Sequence, residues 1–209
     1  LIQEYTKLLN ELGINQRTLE ALRSKGLLYG FYLNEKDTAV AMLESAIKLS
    51  TGNREFVDKC KLDLGDIYVL KSEPWEATLL YSQVEKSEKD SPMGYEAKLR
   101  NAKLSYYKGD FEWANKQFKE LKAVSSQLIA NDALEYFLLI NDNTIADSTQ
   151  TALKQFARGD YLIYQNKPQE ALSQFQEILK NFKGKEIESV TLYRIGKIHE
   201  KLGDYQLAL

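Results

Sequence analysis

The stretch Tyr106-Tyr107-Lys108-Gly109-Asp110-Phe111-Glu112-Trp113-Ala114 reads as the end of one helix, a tight turn and the start of another. Glycine takes a positive φ cheaply after a helix, and an aspartate beside it caps the helix that follows. Phe118 and Leu121 lie four and seven residues beyond Ala114, so the three share one helical face. The alanine is small where the two helices of a hairpin cross closely. The end of the chain repeats the arrangement as Lys201-Leu202-Gly203-Asp204-Tyr205-Gln206-Leu207-Ala208.

Five alanines occupy this position, Ala39, Ala77, Ala114, Ala171 and Ala208, with spacings of 38, 37, 57 and 37 residues. Tyr81 with Val84 and Phe175 with Ile178 repeat the same offsets after Ala77 and Ala171. A fixed period of this size marks a stack of supersecondary units, whose function usually lies on a continuous surface. A second small residue falls twelve positions before four of the alanines, at Gly65, Ala102, Gly159 and Gly196. Mid-helix glycine costs about 1 kcal/mol against alanine, so its recurrence in phase predicts a neighbouring helix that needs the space. Pro74 and Pro168 each precede an alanine by three residues, at the first turn of a helix, and Pro92 likewise opens one.

These residues resemble the tetratricopeptide repeat, a helix–turn–helix unit of about 34 residues. The resemblance extends over about four-fifths of the chain and is strongest over 56–124 and from 151 onward. The family's aromatic near the start of the first helix is missing from most units, and its closing proline is absent. The resemblance implies an all-α fold, an α-α superhelix of about five antiparallel hairpins plus one extra helix. One array would run over 1–209, with units at 15–52, 53–90, 91–125, 149–184 and 185–209, the extra helix within 126–148, and 1–13 as the second helix of an upstream unit. Both ends look cut from within a longer protein.

The pattern predicts helices over 1–12, 17–33, 37–49, 56–70, 75–86, 95–108, 112–123, 127–141, 151–165, 169–182 and 187–202, with another beginning at Tyr205. The extra helix has Leu128, Leu134, Phe137 and Leu138 as its apolar set, followed by turn-forming residues over 142–148. Its sequence over 128–134, with 167–172, is similar to parts of large bacterial tetratricopeptide proteins. Several of those belong to the cell envelope, which favours a periplasmic location over the cytoplasm.

Composition narrows the function. A net charge of −2 and a pI of about 5.7 give no basic excess for nucleic acid or an anionic membrane. No apolar run approaches the length of a bilayer-spanning helix, so direct membrane insertion is not expected. Cys60 is the sole cysteine and His199 the sole histidine. No phosphate-binding glycine loop, metal-ligand spacing or convergent acid–base set is evident, so neither cofactor nor catalysis is expected.

In tetratricopeptide arrays the inner face is lined mainly by first helices. By register the resemblance places Tyr32, Asp66, Leu70, Lys103, Tyr106, Tyr107, Asp160, Tyr164 and Lys197 there. It implies a non-enzymatic scaffold that binds a peptide or protein segment. Because Tyr106 and Tyr107 are adjacent, they project about 100° apart. One is expected to face the neighbouring helix and the other the groove, with Lys103 beside it and Asp66 and Asp160 as opposite charge on flanking units. The family's terminal-carboxylate clamp uses lysine and asparagine on first helices. Its lysine positions here hold Leu62, Leu99, Phe156 and Tyr193, and its asparagine positions Asp66, Lys103, Asp160 and Lys197, so that ligand class is not expected. The alternatives are a structural spacer or oligomerisation module, or an accessory domain of a larger enzyme.

Overall fold

The computed structural model describes residues 1–124, 126–145 and 149–208. Among them the fold is all-α, with eleven helices and no strand. They are α1 (Ile2–Leu12), α2 (Leu19–Phe31), α3 (Lys36–Leu49), α4 (Arg54–Leu70), α5 (Pro74–Ser87), α6 (Pro92–Tyr107), α7 (Phe111–Leu121), α8 (Gln127–Ile145), α9 (Thr151–Tyr164), α10 (Pro168–Asn181) and α11 (Ile187–Leu202). The chain divides into two compact units, Leu1–Lys98 and Leu99–Leu209. In the first, α1 packs on α2, α2 on α3, α3 on α4 and α4 on α5, and α2 also touches α4. In the second, α7 packs on α8, α8 on α9, α9 on α10 and α10 on α11, and α9 also touches α11. Contact between sequence neighbours and next-but-one neighbours is the pattern of stacked hairpins.

The turns carry the repeat. The residue five before each marker alanine has a left-handed backbone at all five turns: Asn34, Ser72, Gly109, Asn166 and Gly203, with φ of 58°, 64°, 81°, 59° and 83°. Asparagine tolerates that region, and Ser72 occupies it too, so only two of the five turns required glycine. In four turns the next N–H donates to a carbonyl five residues back: Glu73 to Tyr68, Asp110 to Ser105, Lys167 to Leu162 and Asp204 to His199. In the first hairpin Glu35 donates to Tyr29, six residues back. That turn holds one extra residue, which shifts α2 by one position. Its phased small residue is therefore Gly26, packed on Met42 and Leu43.

The core follows from this register. Ala39, Ala77, Ala114 and Ala171 are fully buried, as are the residues four and seven positions on: Leu43 and Ala46, Tyr81 and Val84, Phe118 and Leu121, Phe175 and Ile178. The glycine notches are filled by rings. A Cβ at Gly65 would meet the ring of Tyr81, and a Cβ at Gly159 would lie 2.5 Å from Phe175 Cε1. In the first unit Leu9, Leu19, Leu22, Ala46, Phe56 and Cys60 form one apolar cluster, and burial pushes the Cys60 thiol up to about 12. Pro74 and Pro168 open α5 and α10.

Three expectations are corrected. Helix α8 continues to Ile145 rather than ending at Asn141, and its asparagine amides bond back along it instead of forming a turn. Asn141 Nδ2 donates to the Phe137 carbonyl at 2.7 Å, and Asn143 Nδ2 to the Leu139 carbonyl at 2.8 Å. The remaining expected turn residues, 146–148, lie outside the described residues. The apolar set of α8 is also different: Ile129, Ala133 and Ile140 are buried, whereas Leu128 is 81% exposed and Leu134 and Leu138 also face outward. The stripe Ile129-Ala133-Tyr136-Ile140 holds helical spacing, and it is the one that meets α7 and α9. Finally, no helix forms from Tyr205. Among the described residues the segment closes only a turn, with the Leu207 N–H donating to the Asp204 carbonyl at 2.9 Å.

Candidate functional site

Helices α6, α8, α9 and α11 of the second unit surround a cavity of about 630 Å³. Lys103 and Tyr107 reach it from α6, Tyr136 from α8, Asp160 and Tyr164 from α9, and Arg194 and Lys197 from α11. Five of the residues expected from sequence are thus brought together: Lys103, Tyr107, Asp160, Tyr164 and Lys197.

Tyr106 and Tyr107 separate as their angular offset requires. Tyr106 is fully buried, which removes it from the expected binding face. Its ring packs against Tyr107, Phe111 and Tyr136, with centroids 5.6, 5.8 and 5.0 Å away. Tyr107 is half-buried and lines the cavity. It stacks on Tyr161 at 5.3 Å and lies 6.1 Å from Tyr164, so α6 and α9 share an aromatic wall.

Beneath that wall lies a polar network. The Tyr106 hydroxyl donates to Asp160 Oδ2 at 3.1 Å, and Arg194 Nε donates to Asp160 Oδ1 at 3.0 Å. Arg194 Nη2 also donates to Glu135 Oε1 at 2.8 Å, tying α11 to both α9 and α8. Asp160 is only 6% exposed, so its charge serves Tyr106 and Arg194 and is not the free groove carboxylate expected from sequence. Burial raises its pKa, while Arg194 and the Tyr106 hydrogen bond pull it back. Burial works against the Arg194 charge, yet Asp160 and Glu135 outweigh it and raise its pKa. Burial raises the phenol pKa of Tyr107 and of Tyr136 above the usual value. Lys103 donates to Asp132 at 2.8 Å and sits over the Tyr136 ring, 5.4 Å from its centroid.

Tyr32, Asp66 and Leu70 belong to the first unit. Tyr32 is 80% exposed because it is the C-cap of α2, past the helix face the register assigned it. Asp66 is half-buried and accepts from the Tyr81 hydroxyl at 2.6 Å, so its carboxylate is used within its own hairpin. Leu70 is buried in the core, where α4 meets its neighbours, and cannot serve as a surface contact. His199 is half-buried on α11, with Nδ1 3.8 Å from Asp204 Oδ2.

Tyr136, Glu135, Arg194 and Lys201 also line the cavity and were not expected. Tyr136 and Glu135 escaped because α8 interrupts the period and had no register position. Arg194 and Lys201 carried a usable signal: they lie three residues before and four after Lys197, on one face of α11. No helix among the described residues is long and apolar enough to cross a membrane.

No protein-family model matches the chain, and the curated proteins yield no match.

Proposed function

We propose that this chain is a non-enzymatic interaction scaffold of tetratricopeptide type, and that the cavity of its second unit takes a segment of another protein. The observation that carries the reading is the convergence of Lys103, Tyr107, Asp160, Tyr164 and Lys197 from three helices on one cavity. Tyrosine is a strong interface anchor, because it offers a large rigid ring with a polar tip. Here the rings are held in place before any partner arrives: Tyr107 by stacking on Tyr161, and Tyr136 by stacking on Phe118 at 5.1 Å. A preordered wall spares the partner the entropy of arranging it. Ile163, Pro168, Ile198 and Leu202 supply apolar lining for a side chain. The left-handed residue shared by five turns, four of them closed by the same hydrogen bond, supports membership of the tetratricopeptide class.

Selection of a displayed random-peptide library on the purified protein tests the proposal. Peptides are expected to be enriched, and Tyr164→Ala should weaken their binding by about 1–2 kcal/mol or more at a temperature where circular dichroism shows the variant still folded. Enriched peptides that bind Tyr164→Ala as well as wild type would place the site elsewhere. No enrichment at all would favour the spacer reading.

A further inference from the structure

We infer that the segment taken by this cavity is acidic around an apolar or aromatic anchor, an inference that rests on the capture reading above. The carboxylates of the cavity are already engaged. Asp160 is bonded to Tyr106 and Arg194, Glu135 to Arg194, and Asp132 to Lys103. These bonds also use the charges of Arg194 and Lys103. Two cations remain, Lys197 and Lys201, four residues apart on one face of α11 and both exposed. Lys197 meets Glu200 at 2.8 Å, three residues on along the same helix, with both side chains more than half exposed. Such a pair is weak and readily exchanged for another carboxylate. Lys201 has no charged partner among the described residues.

Ile198 and Leu202 follow these lysines directly, so α11 presents two ammonium groups beside two aliphatic side chains. Tyr107 and Tyr164 face the same cavity from α6 and α9. An apolar side chain entering between α9 and α11 therefore carries its sequence neighbours past Lys197 and Lys201. A neighbouring Asp or Glu gains their attraction at little desolvation cost, since both lysines stay wet at the mouth. A neighbouring Lys or Arg meets like charge, and the carboxylates that could answer it are held by Arg194 and Lys103.

The test is a displayed peptide library with one fixed Phe and with flanking positions limited to Glu, Gln and Lys. It is selected on the wild-type chain and on the Lys197→Glu, Lys201→Glu double variant. Glu is expected to be enriched over Lys by about tenfold on wild type, and the bias should vanish or reverse on the variant. The variant should fold as wild type does, with melting lowered only slightly by the added negative charge beside Glu200 in the last turn of α11, because both lysines are exposed. Enrichment without a Glu bias would overturn this inference and leave capture standing. A Glu bias that persists in the variant, or that survives replacement of the fixed Phe by Ala, would overturn it as diffuse attraction. Absence of any enriched peptide would remove the capture reading itself.

Discussion

Gly159 and Gly196 occupy the same position of two successive repeats within the second unit, each twelve residues before a marker alanine, yet opposite outcomes are expected from their replacement by alanine. At Gly159 a Cβ would lie 2.5, 2.6 and 3.0 Å from three atoms of the Phe175 ring. Carbon contacts are optimal at about 3.5–4.0 Å, so the ring would have to retreat by roughly 1 Å. It has nowhere to go, since Phe175 is fully buried and its centroid lies 5.2 Å from that of Phe156. Overpacking of this kind costs about 1–3 kcal/mol or more, against a helix-propensity gain of about 1 kcal/mol. The confinement of the ring puts the cost at the upper end of that range, so the net is a loss of about 2 kcal/mol, read as a fall of roughly 4–8 °C in melting temperature for a chain of this size. At Gly196 no side chain stands near the added carbon, and only the Ala208 carbonyl oxygen lies at 3.2 Å, just past an exposed turn, where a shift of a few tenths of an ångström relieves it. Gly196→Ala should therefore be neutral or stabilising by up to about 1 kcal/mol. Thermal unfolding followed by circular dichroism reads both. A Gly159→Ala protein as stable as wild type, or a Gly196→Ala protein that falls as far, would refute the ring-in-notch account of the repeat.

Other consequences are as direct. Tyr106, Tyr107 and Tyr136 hold phenol pKa values raised by burial above the ordinary 10.0, so the folded chain keeps protons that the unfolded chain releases. Their contribution to stability is complete below about pH 10 and is lost as pH climbs from there through the raised values, so phenolate absorbance from these rings should appear only with unfolding. Arg194→Leu strands the buried Asp160 carboxylate and should cost about 3–5 kcal/mol, whereas adding Asp160→Asn should recover part of that loss in denaturant titrations. Cys60, buried and with its thiol pushed up to about 12, should not react with a disulfide reagent until the protein unfolds; rapid labelling of the native chain would contradict its place in the core.

Much of the fold was legible because a repeat states its rules several times. Ala, Gly and the aromatic four residues after Ala77, Ala114 and Ala171 recur, and their agreement fixed the helix order and the core. What escaped was whatever broke the period. One extra residue in the first turn moved Gly26 out of phase. Helix α8 had no counterpart, so its buried stripe was misassigned, and with it Tyr136 and Glu135. The candidate site was half legible. First-helix register found Lys103, Tyr107, Asp160, Tyr164 and Lys197, which depend only on helix phase. It could not reveal that Asp160 is consumed by Arg194 and Tyr106, because those partners meet only after α6, α9 and α11 pack.

The central claim, capture of a protein segment in the cavity of the second unit, is tested most directly by methyl NMR. Ile and Leu methyl groups would be labelled and followed while a selected peptide is added. Shifts are predicted to concentrate on Ile163, Ile198 and Leu202, which line the cavity from α9 and α11. Shifts confined to outward-facing methyls such as those of Leu128, Leu134 and Leu138 on α8, with these three unmoved, would contradict it.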